Sequence, residues 1–136
     1  MNPEFIINEE LGKLISNVVK KFPSDKKRSA VIESLLILQH HNNGYVTKNI
    51  IKALSDYLSV SEIDIYEVAT FYTMINIDPV GRNVISVCNN ISCMLRGSDE
   101  ILSHIEDKLK IKVGESTKDN KFYLKDEIEC LSLIHI

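Results

Sequence analysis

Glycine and proline are scarce in this chain, five and three residues in 136, which argues against fibrous and disordered classes. No apolar run approaches the ~20 residues that a membrane-spanning helix needs. The N-terminus, MNPEFIINEE, also lacks the basic start and apolar stretch of a signal peptide. Both absences point to a cytoplasmic location with no direct membrane insertion. Basic excess is missing as well, since the formal net charge is -3, and nothing pulls the chain towards nucleic acid. Nowhere is there a nucleotide-binding glycine loop, a flavin site or a general acid–base pair, so the chain is not a complete enzyme by itself. Cysteine is limited to three residues. Without an export signal, these read as metal ligands, catalytic thiols or core residues rather than disulfide partners. What is present, 44% hydrophobic and 26% charged residues, suits one ordinary domain or two small ones around a moderate core.

The first half carries helical periodicity. In NEELGKLISNVVKKF, Leu11, Leu14, Ile15, Val18, Val19 and Phe22 recur at three- and four-residue steps, with Asn8 as cap and Pro23 as stop. A second helix is predicted from Ser24 or Asp25, burying Val31, Leu35 and Leu38 and ending on Asn43 and Gly44, which tolerate a left-handed C-terminal cap. Thr47 caps a third through Ile50, Ile51, Leu54 and Leu58, and Ser61 with Asp64 resembles a capping box for a fourth, EIDIYEVATFYTMI. Short loops between them predict an N-terminal four-helix bundle over residues 1–80.

After the turn signal DPVG the pattern changes. NVISVC is rich in β-branched residues and reads as a strand. Ser98 is expected to cap a helix over SDEILSHIEDKLK, with Asp99 and Glu100 suited to its positive end. KFYLKDEIEC reads as another strand or strand pair. Residues 81–136 are therefore an α/β unit, and the whole chain is α+β.

Cys88 ends the first strand and Cys93 precedes the helix, so the loop between them can turn both sulfurs towards one point. C-x4-C by itself leaves incidental thiols, a zinc half-site and a redox pair open. Cys130, at the end of the second predicted strand, can reach the same rim of the sheet, and thiolates gathered there suit iron–sulfur or zinc. A thiol oxidoreductase would usually need C-x-x-C instead.

Several stretches, KKRSAVIESLLILQHHNNGYV, YEVATFYTM, VCNNISCMLRGSDEIL, KVGEST and EIECL, together resemble the E-subunit family of bacterial NADH-quinone oxidoreductase, respiratory complex I. These are thioredoxin-like [2Fe-2S] ferredoxins. The resemblance runs from about Glu10 to Leu131. It implies a helical bundle followed by a thioredoxin-like domain whose [2Fe-2S] cluster sits on four cysteines, C-x4-C, a long gap, then C-x3-C. Cys88, Cys93 and Cys130 match the first three. It further implies an electron-transfer subunit, non-catalytic alone, that exchanges single electrons with the FMN of a partner NADH-binding flavoprotein subunit, peripheral to the membrane. Similar subunits of soluble NAD-linked hydrogenases and formate dehydrogenases are the alternative assemblies. A structural zinc module is the alternative of another class.

The chain departs from the family at its end, because the fourth cysteine would fall where Ile134 stands. LSLIHI is what CTG TCT CTT ATA CAC ATC encodes, and that string reads as a transposase-type sequencing adapter. Residues Leu131 to Ile136 are thus expected to be partly or wholly adapter-derived, and the thioredoxin-like domain truncated. His135 as a fourth ligand is the rival account. His40 and His41 are adjacent on a helix and diverge by about 100°, and His104 lies on an outer helix face. All three read as solvated or core residues. Tyr57 and Tyr66, at helical spacing, read as core or subunit interface. Arg96, just past the cysteine loop, is expected either to tune the cluster by favouring its reduced state or to be a solvated loop charge or a subunit contact.

Overall fold

Helices need partners for the N–H groups of their first turns, and the computed structural model, which describes residues 5–128, shows where these come from. Asn8 Oδ1 accepts from the Leu11 N–H at 2.9 Å and opens α1, Glu9–Val19. α2, Val31–His41, starts later than expected, and neither Ser24 nor Asp25 caps it. The Pro23 carbonyl instead accepts from the Lys26 N–H at 2.8 Å, and a 3-10 turn over Lys27–Ala30 leads into the helix. A cap at Asp25 would have placed Lys26, Lys27 and Arg28 in the first turn, where cations oppose the positive end of the helix dipole. Arg28 reaches across to Asp64 and Glu67 at 3.2 and 3.6 Å.

α2 ends on two left-handed residues, Asn43 (φ 57°) and Gly44 (φ 92°), and the Gly44 N–H donates to the Gln39 carbonyl at 2.9 Å. Thr47 Oγ1 accepts from the Ile50 N–H at 3.3 Å to open α3, Lys48–Leu58. Ser61 Oγ does the same for the Asp64 N–H at 3.3 Å in α4, Glu62–Phe71. The apolar faces of all four helices meet in one core, with Ile15, Leu35, Leu38, Ile50, Leu54 and Ile65 fully buried. Tyr57 serves as a tie in this half, its hydroxyl donating to the Gly12 carbonyl at 2.9 Å and bonding the Ser16 hydroxyl at 2.8 Å. Tyr66 is exposed.

The chain divides into two compact units, Met1–Pro79 and Val80–Ile136. In the second, β1 (Asn83–Cys88) and β2 (Phe122–Glu127) pair in parallel, in register from Asn83 opposite Phe122 to Cys88 opposite Glu127. Parallel neighbours need a crossover, and α5 (Ile91–Met94) and α6 (Ser98–Leu109) provide it. Val87, Ile111 and Leu124 form its buried centre, with Leu102, Ile105 and Leu109 packed around them. Helices followed by a strand–helix–strand unit make the α+β arrangement read from the sequence. Among the described residues no helix is long and apolar enough to cross a membrane.

Candidate functional site

Strand β1 delivers Cys88 to the end of the sheet, opposite Glu127. The next residue fastens the following loop to β2, since the Asn89 N–H donates to the Glu127 carbonyl at 3.0 Å and its side-chain amide donates to Asp126 at 2.8 Å. The chain then coils tightly. Within α5 the Cys93 N–H donates to the Asn90 carbonyl at 2.9 Å, and the Arg96 N–H donates to the Cys93 carbonyl at 3.0 Å. This coil turns Cys93 back, so that both half-buried cysteines line one cavity of about 440 Å³.

The chemistry of that cavity is specific. Ile85, Val87, Ile101 and Ile105 supply apolar wall, while Arg96 supplies the charge. Among the described lining residues none is acidic. Soft thiols in a largely apolar, cationic pocket suit a thiolate-bound metal centre rather than a hard, oxygen-bound cation. The described residues do not complete a site by themselves, because no group of three or more His, Cys, Asp or Glu side chains is gathered among them. Cys130, Ile134 and His135 lie outside the described residues. His40, His41 and His104 are exposed, in keeping with the solvated reading.

Ser98 is not the cap expected of it. It is the first residue of α6, and Gly97 occupies the cap position with φ 92°. The reason is the sharp passage from α5 to α6. The Gly97 N–H closes the α5 coil on the Met94 carbonyl at 3.0 Å, while the Gly97 carbonyl accepts from the Ile101 N–H at 3.2 Å and begins α6. A residue serving both turns must adopt left-handed backbone, which glycine does without strain. Ser98 is displaced inward to 6% exposure and lines the cysteine cavity. Reading the sequence for caps missed it as a site residue. The signal was the glycine immediately before it.

The protein-family comparison matches residues 15–135 to the thioredoxin-like [2Fe-2S] ferredoxin model. Among curated relatives, the E-subunit of NADH-quinone oxidoreductase from Rickettsia prowazekii (strain Madrid E) is 42% identical over 130 residues, covering 96% of this chain and 73% of that protein. The Rickettsia bellii (strain RML369-C) protein of the same name is 46% identical over 118 residues, covering 87% of this chain and 70% of its own length. The mitochondrial NADH dehydrogenase [ubiquinone] flavoprotein 2 of Dictyostelium discoideum is 38% identical over 117 residues, covering 86% of this chain and 47% of that protein. A match that takes in the helices, the cysteine loop and β2 together is a match of the whole arrangement, and the chain belongs to the thioredoxin-like [2Fe-2S] ferredoxin family.

Proposed function

We propose that this chain is an electron-transfer subunit of an NADH-quinone oxidoreductase, carrying a [2Fe-2S] cluster and exchanging single electrons with the FMN of a partner NADH-oxidising subunit. The observation that carries the reading is the pair of thiols, Cys88 and Cys93, on one cavity at the end of β1. These two would hold such a cluster as thiolate ligands. Bound there, a [2Fe-2S] cluster supplies one-electron storage. Cys130 is the proposed third ligand. It follows Glu127, the residue paired with Cys88, by three peptide units, at most about 11 Å of extended chain. The fourth ligand is expected at position 134, occupied here by Ile134.

The chain's own residues do three things for the centre. The apolar wall lowers the polarity around the centre, the Asn89 hydrogen bonds hold the loop against β2, and Arg96 sets a positive charge at the rim, which favours the more negative reduced state. The helical half, residues 1–80, is the proposed docking element for the flavoprotein partner, with Ile63, Phe71 and Met74 among its exposed apolar side chains. The subunit is then peripheral to the membrane through its complex. The test is anaerobic purification of the gene product as the cell makes it. A red-brown protein with about two irons and two sulfides, a one-electron EPR signal on reduction, and loss of that signal in Cys88→Ser and Cys93→Ser are expected. A colourless protein that retains zinc would overturn the reading.

A further inference from the structure

Among the described residues three buried polar side-chain atoms have no hydrogen-bond partner, Ser34 Oγ, Asn89 Oδ1 and Ser98 Oγ. Of these three residues, Ser98 is the one on the cavity shared by Cys88 and Cys93. A buried hydroxyl is costly to leave unpaired, and native folds nearly always give it an acceptor. Helical Ser and Thr usually find one in a carbonyl of the preceding turn. Thr70 in α4 does so, its Oγ1 donating to the Tyr66 carbonyl at 2.9 Å. Ser98 stands at the first position of α6, and the turn behind it belongs to the short α5 coil. The last carbonyl groups of α5 accept from other donors, Met94 from the Gly97 N–H and Cys93 from the Arg96 N–H, and Ser98 Oγ bonds neither.

We propose that Ser98 is a potential-setting residue. Resting on the cluster assignment above, its hydroxyl donates a hydrogen bond to sulfur of the bound centre, either a cysteine thiolate or a bridging sulfide. Sulfur becomes a stronger acceptor when one electron is added, because the centre gains negative charge while the hydroxyl dipole and the N-terminus of the 12-residue α6 stay fixed. The bond therefore stabilises the reduced form more than the oxidised form and raises the reduction potential. No bond is made or broken, and the role is one of positioning and tuning.

The experiment is EPR-monitored redox titration of the cluster-loaded protein in its wild-type, Ser98→Ala and Ser98→Thr forms. Alanine should move the equilibrium about tenfold towards the oxidised form, a fall of about 59 mV for one electron, while threonine should restore the wild-type value. Far-UV circular dichroism should be unchanged in both. If alanine does not fold or load, Ser98→Val replaces it, since valine matches threonine in shape without the hydroxyl. A lower potential for valine than for threonine supports the inference, and equal potentials overturn it. Loaded alanine protein at the wild-type potential overturns the Ser98 role and leaves the cluster reading standing. A wild-type protein that holds no cluster overturns both.

Discussion

Glu106, late in α6, shows how one carboxylate can fasten a helix to the loop after it. Its Oε2 accepts from Lys112 Nζ at 2.7 Å and its Oε1 from the Val113 N–H at 3.3 Å. The hydrogen bond from Lys112 holds the Glu106 carboxyl below the ordinary carboxylate range, and in return Glu106 holds the Lys112 ammonium above its ordinary value. A carboxylate with a depressed folded-state pKa contributes stability above its unfolded pKa, about 4.3, and loses it as pH falls through the folded value. For the raised lysine, the contribution is complete below about pH 10.4 and fades as pH climbs through the folded value. Glu106→Gln should therefore lower the urea midpoint modestly at pH 7, as exposed pairs do, and the gap from wild type should narrow at an acid pH below the ordinary carboxylate range. A gap of equal size at both pH values would assign the effect to the lost shape of the loop rather than to charge.

At the scale of elements, Gly81 shows a constraint of space rather than of backbone angle. A Cβ placed there would stand 2.5 Å from the Phe122 carbonyl carbon and 2.6 Å from its oxygen, at the first residue of β2. Those atoms are backbone and cannot swing aside, so Gly81→Ala must push β2 outward or break the bond from the Gly81 N–H to Ser116 Oγ at 3.0 Å. The expected cost is about 1–3 kcal/mol, in the range of overpacking elsewhere, read as a shift in denaturant midpoint. An unshifted midpoint would mean that β2 is not held at this distance. What the sequence disclosed follows the same division between local and distant causes. Asn8, Thr47 and Ser61 are legible as caps because each acts within three residues of itself, and Cys88 is legible at a strand end for a similar reason. The start of α2 was not, because three cations in a row outweigh a nominal capping residue. Ser98 was misread because the preceding glycine bears two turns at once, and the approach of Gly81 to Phe122 joins residues far apart in the chain.

At the scale of the whole molecule, burial among the described residues is split between two centres that share no residue, one gathered around Leu35 and Ile50, the other around Val87, Ile111 and Leu124. The described residues that line the cysteine cavity all belong to the second unit. Leu124 bears directly on it. It is fully buried, pairs with Ile85 of β1, and stands three residues before Glu127, the partner of Cys88. Removing its side chain should loosen the register that presents the thiols, so Leu124→Ala should reduce cluster content and broaden the EPR signal of what remains. Leu35→Ala takes a comparable side chain from the first centre, with an expected loss of about 2–5 kcal/mol. Below its own unfolding temperature it should leave the g-values and the reduction potential as they are in wild type. Measuring both variants by thermal melting and by EPR separates damage to the scaffold from damage to the site. Equal shifts of the EPR spectrum in the two variants would show that the centres, though built from separate residues, act on the thiols as one.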